Sequence, residues 1–145
     1  MSGGAEMVSG RHVMVELYGC SYKTLSDLEL IKQVLIDIAT RLGSRILSEH
    51  FVKLDPGISG VLMIGESHIS IHTWPEKSYA SIDIYTCNKN SDLDQALLFV
   101  KKRFNPIQQC ALLVERGLPE GFRVTEMKLV ESHIEKSEMA QHVRE

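Results

Sequence analysis

The sequence has few cysteines, and they follow no metal-binding or disulfide pattern. Only Cys20, Cys87 and Cys110 are present among 145 residues, without a CxxC pair or an even framework. Small secreted domains usually carry paired cysteines, whereas unpaired ones are typical of a reducing compartment. We therefore expect reduced thiols, no metal centre and a cytoplasmic protein. The pattern itself assigns no chemical role to Cys20 or Cys110.

Long apolar runs and an excess of positive charge are also missing. No apolar stretch reaches the ~18 to 20 residues of a membrane span, and the first residues lack the apolar core of a signal peptide. Lys and Arg number 16 against 19 Asp and Glu, a net charge of −3. Because these charges are interspersed, there is no basic stripe to follow a phosphate backbone. We expect neither a membrane nor a nucleic-acid partner.

The composition that remains is that of an ordinary globular domain. Apolar residues make up 43% of the chain and charged residues 24%, proportions that exclude a disordered or fibrous protein. A chain of this length can bury a sizeable core of its own without staples. We therefore predict a single domain over residues 1–145.

Hydrophobic periodicity predicts strands flanking two helices. Alternating or continuous apolar runs predict strands at residues 12–18, 45–54, 59–64, 68–74, 79–87, 109–115 and 122–130. Helical spacing predicts helices at residues 26–42 and 91–104. A capping box of Ser26 and Glu29 is expected to start the first helix, and Gly43 to end it. Short connections between the middle strands favour an α+β fold with an antiparallel sheet and helices on one face. The last residues are compatible with a surface helix or a loose tail.

The densest group of reactive side chains lies between Gly65 and Cys87. Two predicted strands there are joined by a short polar connection, which indicates an antiparallel hairpin. Pairing Trp74 with Tyr79 places Glu66 opposite Cys87 and so brings the thiol beside the Glu66–Ser67 bond. A slip of one residue in this register would move the thiol away.

Three motifs in this hairpin resemble a known family. They are Glu66-Ser67-His68, then Ile71-His72-Thr73-Trp74-Pro75-Glu76, then Asp83 with Tyr85-Thr86-Cys87. Together they are similar to the signature of the prokaryotic-type S-adenosylmethionine decarboxylases, which make a pyruvoyl cofactor from an internal serine. The resemblance extends more weakly over residues 11–115. It implies a two-layer α/β sandwich, a homodimer or higher oligomer, and decarboxylation of S-adenosylmethionine to supply aminopropyl groups for spermidine and other polyamines.

The resemblance also implies that the chain cuts itself. In this family the hydroxyl equivalent to Ser67 attacks the carbonyl of the preceding residue, here Glu66, and converts the amide to an ester. Elimination and hydrolysis then leave a pyruvoyl group at position 67, which forms a Schiff base with the substrate amine and accepts electrons as carbon dioxide leaves. The expected products are a beta chain of residues 1–66 and an alpha chain of residues 67–145. No metal is required.

Four further residues match positions with roles in the family. By resemblance His72 is the base that removes the Hα of Ser67, which suits a side chain that titrates near neutral pH. Ser59 matches a second serine that assists processing as a hydrogen-bond donor. Cys87 matches the proton donor to the substrate carbon after decarboxylation, although free cysteines are often only small buried hydrophobes. His68 conforms to the motif and is equally compatible with a structural role.

The substrate-binding residues match the family less completely. Glu76 matches the glutamate that binds the substrate ribose, and Trp74 either walls the site or packs in the core. The family usually has an aromatic residue that stacks on adenine six positions before its second processing serine, but this chain has Lys53 there, or Leu54 after a one-residue deletion. Lys77-Ser78 replaces the usual Tyr-Gly.

These departures leave two other functions open. One is a pyruvoyl-dependent arginine or ornithine decarboxylase of the same family, because the chemistry requires only an α-amino acid. The other is a non-catalytic homologue that never cleaves, which the presence of Ser59, Ser67, His72 and Cys87 disfavours.

Overall fold

A computed structural model of the chain describes residues 9–65, 67–131 and 142–143. Its strands are β1 (Gly10–Tyr18), β2 (Ile46–Lys53), β3 (Ile58–Ile64), β4 (Ser67–Trp74), β5 (Tyr79–Thr86), β6 (Gln108–Leu118) and β7 (Gly121–Glu131). Its helices are α1 (Tyr22–Leu25), α2 (Leu28–Arg41) and α3 (Leu93–Phe104), with a 3-10 turn at Pro75–Lys77. All seven predicted strands and both predicted helices are confirmed within a few residues.

The strands form one antiparallel sheet in the order β2-β3-β4-β5-β1-β6-β7. Each pair of neighbours is antiparallel. Strand β1 therefore enters the middle of the sheet, between the central hairpin and the hairpin of β6 and β7. The predicted α+β class, with an antiparallel sheet and helices, is confirmed.

Helices α2 and α3 cover one side of the sheet. Alternate residues of the central strands point toward them and are buried, as Val13 and Val15 of β1 and Ile69 and Ile71 of β4 show. The apolar stripe of α2 joins the same cluster, and this burial is the main favourable term for the fold. We call the other side of the sheet the open face. In β4 it carries His68, Ser70, His72 and Trp74, all half-buried or exposed.

The predicted N-cap of the first long helix, Ser26, is wrong: the cap is the next residue. The N-cap of α2 is Asp27, whose carboxylate accepts a hydrogen bond from the backbone N–H of Leu30 at 3.1 Å. Ser26 instead donates its hydroxyl to the carbonyl of Tyr22 at 2.8 Å, at the end of the short helix α1. Because Ser21 caps α1, the chain contains an additional helical turn that the hydrophobic period does not reveal.

The predicted register of the central hairpin is confirmed. Trp74 pairs with Tyr79, and six further pairs follow as far as His68 with Tyr85. The connecting 3-10 turn ends at Ser78, whose φ of +53° lies in the left-handed region. Glu66 lies outside the described residues, so its pairing with Cys87 stays a prediction. The C-terminal segment after residue 131 also lies outside them, apart from residues 142–143. Within the described ranges, no helix is long and apolar enough to cross a membrane.

Candidate active site

Ser59 and His72 form a polar pair on the open face. They lie opposite each other on the neighbouring strands β3 and β4, and the serine Oγ is 2.8 Å from the imidazole Nδ1. This contact fixes the ring, and in the tautomer in which Nδ1–H donates to the serine oxygen, Nε2 carries no proton and can act as a general base. The predicted processing residues Ser59 and His72 are therefore brought together.

Ser67 is the first residue of β4 and faces the helix side. Only 7% of its surface is exposed, and its hydroxyl donates to the carbonyl of Tyr85 on β5. The preceding residue, Glu66, lies outside the described part of the chain. Ser67 thus sits at the point where the turn after β3 enters the central hairpin.

The structure separates Ser67 from His72 within one chain. They lie five residues apart on β4, a distance of roughly 16 Å at the usual rise per strand residue. Since successive side chains of a strand point to opposite faces, Ser67 lies on the helix side and His72 on the open face. The residues expected to process Ser67 are consequently at the other end of its own strand.

Cys87 follows β5, at the same end of the hairpin as Ser67. Its thiol is free and half-buried. It lines a cleft of about 250 Å³ together with Ser9, Gly10, Arg11, Thr86, Asn88, Lys89 and Glu115. The expected proton donor therefore borders a space that admits a small group.

Arg11 holds the loop that follows Cys87. One terminal nitrogen of its guanidinium donates to the carbonyls of Asn88 at 3.0 Å and Ser91 at 2.9 Å. The hydroxyl of Thr86 accepts from the backbone N–H of Asn88 at 3.1 Å. Sequence reasoning missed Arg11 because its partners lie 77 and 80 residues away, and no local pattern marks such a contact.

An aromatic row crosses the open face at the end that carries His72. Trp74 stacks on Tyr79 with ring centroids 5.1 Å apart, and Tyr79 stacks on Tyr18 of β1 at 5.4 Å. The carboxylate of Glu16 accepts hydrogen bonds from the hydroxyl of Tyr79 at 2.5 Å and from that of Tyr18 at 3.2 Å. Burial, and then the bond to Glu16, raise the pKa of Tyr79 to about 12. The row was missed, although the predicted pairing of Trp74 with Tyr79 contains half of it.

Comparison with known proteins identifies the family. The sequence model described as S-adenosylmethionine decarboxylase matches residues 11–117. The chain belongs to the S-adenosylmethionine decarboxylase family. It is 38% identical over 112 residues to the S-adenosylmethionine decarboxylase proenzyme of Moorella thermoacetica, covering 77% of this chain and 90% of that protein. It is 37% identical over 115 residues to the proenzyme of Pyrococcus horikoshii, covering 79% of this chain and 83% of that protein.

Solved structures agree with the family assignment. The adenosylmethionine decarboxylase from Aquifex aeolicus superposes with a TM-score of 0.70 at 32% identity, covering 79% of this chain and 94% of that chain. The Trypanosoma brucei enzyme has a TM-score of 0.56 at 18% identity, covering 72% of this chain and 45% of that one, and shows a likeness of fold alone. The predicted resemblance is confirmed, and the fold is the α+β sandwich that this resemblance implied.

Within this S-adenosylmethionine decarboxylase fold, the residues predicted to bind substrate lie beside the aromatic row. Trp74 is 38% exposed, which excludes the alternative that it packs in the core. Glu76 is exposed in the 3-10 turn that follows. Lys53 and Leu54, at the position of the expected aromatic residue, are both exposed at the end of β2. The structure therefore places no π face at that position.

His68 belongs to a second cluster on the open face, near the Ser67 end of the hairpin. The Nε2 of His12 lies 3.0 Å from a carboxylate oxygen of Asp83, and the rings of His12 and His68 flank Tyr85 at 5.7 and 6.0 Å. The hydrogen bond with His12 lowers the pKa of Asp83 and outweighs its partial burial. Among the residues that the structure describes, no group of His, Cys, Asp or Glu is arranged to hold a metal ion.

Proposed function

We propose that this chain is a self-processing decarboxylase of S-adenosylmethionine. The observation that carries the proposal is the 2.8 Å contact between Ser59 and His72, in a chain that belongs to a family of decarboxylase proenzymes. A hydrogen bond between a serine and a histidine at the surface contributes little to stability, whereas a histidine that acts as a processing base requires an imidazole ring in a fixed orientation. The product is decarboxylated S-adenosylmethionine, the aminopropyl donor for polyamine synthesis.

Maturation begins with the hydroxyl of Ser67. It attacks the carbonyl carbon of residue 66, the peptide C–N bond breaks, and an ester replaces the amide. His72 takes the Hα of Ser67, the carboxylate of residue 66 leaves, and a dehydroalanine remains at position 67. This elimination separates residues 1–66 from residues 67–145, and water then converts the dehydroalanine to a pyruvoyl group with release of ammonia. The buried serine at the start of β4 fits this origin of the group.

The chain's own residues then bind the substrate and move one proton. A pyruvoyl group supplies a carbonyl that acts as the electron sink for decarboxylation. Cys87, which lines the cleft beside the same end of the hairpin, donates a proton to the substrate carbon. Trp74 and Glu76 bind the adenosine part, and the free thiols fit a cytoplasmic location.

The working unit of this proposal is a homodimer. His72 and Ser59 lie at the opposite end of the paired strands β3 and β4 from Ser67, roughly 16 Å away along β4, so they cannot reach the Ser67 of their own chain. A second chain placed on the open face with its strands reversed brings its Ser59 and His72 to the first chain's Ser67 end. Each dimer then contains two sites, and each site uses both chains.

The alternative substrates are less well supported. Arginine or ornithine decarboxylation was open because the adenine-stacking residue is absent at Lys53, but the curated relatives are named S-adenosylmethionine decarboxylase proenzymes. The exposed row of Trp74, Tyr79 and Tyr18 also offers flat aromatic surface beside Glu76. Arginine and ornithine lack an aromatic ring such as adenine that would stack on this surface.

The test combines mass and product analysis. Purified protein should separate into two fragments with intact masses that place the break between residues 66 and 67, and it should release carbon dioxide from S-adenosylmethionine but not from arginine or ornithine. Ser67→Ala should remain a single chain. A permanently uncut wild-type chain would refute self-processing, and a cleaved chain that acts only on arginine or ornithine would refute the substrate.

A further inference from the structure

Strand β7 carries an apolar stripe on the open face. We define the β7 stripe as Phe122, Val124, Met127 and Leu129. Their exposed fractions lie between 55% and 71%, values that are unusual for four large apolar side chains of one strand. A row of this kind on a monomer surface marks a region that another protein covers.

The register of the sheet assigns the stripe to the open face. Leu129 and Met127 pair with Cys110 and Leu112 of β6, which in turn pair with Glu16 and Met14 of β1. Those β1 residues alternate with the buried Val13 and Val15, so they face away from the helices. A register shift between Met127 and Val124 keeps Val124 opposite Val114. Phe122 lies two residues from Val124 and therefore has the same orientation.

The helix side of β7 has the opposite character. Lys128 forms an ion pair with Asp94 of α3, and Glu126 lies 3.7 Å from the same lysine nitrogen. From Glu126 to Leu129 the side chains of β7 are thus polar toward the helices and apolar toward the open face, the reverse of the pattern in β1 and β4. Val130, which pairs with the helix-facing Gln109, is the apolar exception on the helix side. The apolar side chains of a strand normally face a buried region, so this pattern indicates that the open face is buried at β7.

We propose that the β7 stripe packs against the β7 stripe of a second copy of this chain. The inference rests on the dimer of the proposed function, in which a second chain lies on the open face. A two-fold axis that exchanges the Ser67 and His72 ends of β4 runs across the strands. This axis places each strand opposite the same strand of the partner, running in the opposite direction. Strand β7 therefore faces the partner's β7 in an isologous contact.

This contact is an addition to the part of the chain that matches the family. The family match ends at residue 117, whereas β7 begins at Gly121. Strand β7 therefore widens the interface by one strand in each copy. Its function is to strengthen the association on which a site shared between two chains depends.

The experiment measures the dimer dissociation constant by sedimentation over a dilution series. We expect Met127→Lys to raise the dimer dissociation constant by about 100-fold or more. In an isologous contact both subunits lose the apolar side chain, and the two new positive charges are brought together. Val124→Thr, which keeps a branched strand former, should raise it about tenfold. Leu98→Lys is the matched control: Leu98 is 59% exposed on the helix side, and this change should leave the constant unaltered.

The possible outcomes separate the two proposals. If wild-type protein dimerises and cleaves but neither β7 variant weakens the dimer, the β7 contact is refuted while the shared site stands. A lower melting temperature without a change in dissociation constant also refutes the contact, since it indicates that the chain's own residues after 131 cover the stripe. A wild-type monomer that cleaves at every dilution refutes both. If Met127→Lys fails to fold by circular dichroism, Val124→Thr decides.

Discussion

Ser67 and His72 belong to the same strand, but their side chains lie on opposite faces of the sheet and five residues apart. Their separation of roughly 16 Å far exceeds the reach of a proton transfer. If both residues act on one peptide bond, they must come from different chains. Under the proposed mechanism the processing site is complete only in an assembly, and mixing of two inactive variants tests this.

We expect two inactive variants to complement each other. Alone, His72→Ala should stall before elimination and give an ester that hydroxylamine cleaves, and Ser67→Ala should remain intact. When the two are mixed and allowed to exchange subunits, the His72 of the Ser67→Ala chain should process the His72→Ala chain. Intact mass of the mixture should then show the fragments 1–66 and 67–145.

The matched control is a mixture in which no complete site exists. A chain that carries both Ser67→Ala and His72→Ala, mixed with His72→Ala, should give no fragments. Exchange itself is checked by mass labelling of one partner. Exchanged but uncut heterodimers in the first mixture would show that His72 does not act across the interface.

Cys87 is expected to affect turnover and not cleavage. Cys87→Ala should still form the two fragments, because Ser59 and His72 are untouched. Its turnover should fall by roughly 10²- to 10⁴-fold, the usual cost of losing a positioned proton donor. Protonation at the wrong atom should also leave more of the 67–145 fragment headed by alanine after each substrate exposure, which mass spectrometry detects.

Cys110 provides the control for thiol loss. It is also free and half-buried, but it lies on β6 opposite Glu16. Cys110→Ala should retain near-normal turnover and the same yield of alanine as wild type. Equal activity of Cys87→Ala and wild type would assign Cys87 to packing alone, and His68 would be the next candidate for the donor.

The sequence predicted the parts of the site that depend on local register. The alternation within β4 and β5 and the short turn between them suffice to pair Trp74 with Tyr79, because a hairpin is closed by its own residues. The same reasoning failed for Tyr18 and Arg11, whose partners lie on strands or loops distant in sequence. Strand order across β5, β1 and β6 is set by burial of the whole sheet, and no single segment encodes it.

The helix start and the separation of the processing residues show the same limit. Ser26 and Glu29 match a capping box locally, but Asp27 takes the capping role because α1 occupies the preceding residues. Motif spacing places Ser67 and His72 near each other in sequence, whereas the extended strand between them keeps them apart. The motif indicates which residues take part in the proposed processing reaction. Whether one chain or two supply them depends on the backbone conformation between them, which the motif does not show.

Tyr79 should titrate late in an alkaline titration. Its pKa of about 12 lies above the ordinary value of 10.0, so the folded state holds this proton more tightly than the unfolded state. The resulting stability is fully present below pH 10 and is lost as the pH rises toward 12. Phenolate absorbance should show a component near pH 12 that Tyr79→Phe removes, and this component is distinct from that of Tyr18, whose pKa burial and Glu16 also raise. Tyr22→Phe should leave that component in place, and its persistence in Tyr79→Phe would contradict the assignment.

Arg11 is expected to position Cys87. Its two hydrogen bonds to the carbonyls of Asn88 and Ser91 hold in place the loop that begins directly after Cys87. Each charge-assisted bond of this kind contributes about 1.5 to 3 kcal/mol to stability. Arg11→Gln should leave cleavage intact, because the two hydrogen bonds of Arg11 go to the loop after Cys87 and not to Ser59, Ser67 or His72. Its kcat should fall about tenfold or more, with little change in KM.

A purely structural role for Arg11 would lower stability without changing the fate of the substrate proton. The deciding measurement is therefore the fraction of the 67–145 fragment that becomes alanine-headed per molecule of carbon dioxide released. This fraction should rise in Arg11→Gln and fall back partly in Arg11→Lys, because lysine can still donate to one of the two carbonyls. Arg41→Gln is the control, since Arg41 lies over the ring of Phe99 at 4.1 Å and its loss should lower stability while the fraction stays at the wild-type value. An unchanged fraction in Arg11→Gln would show that the loop holds Cys87 in place without Arg11.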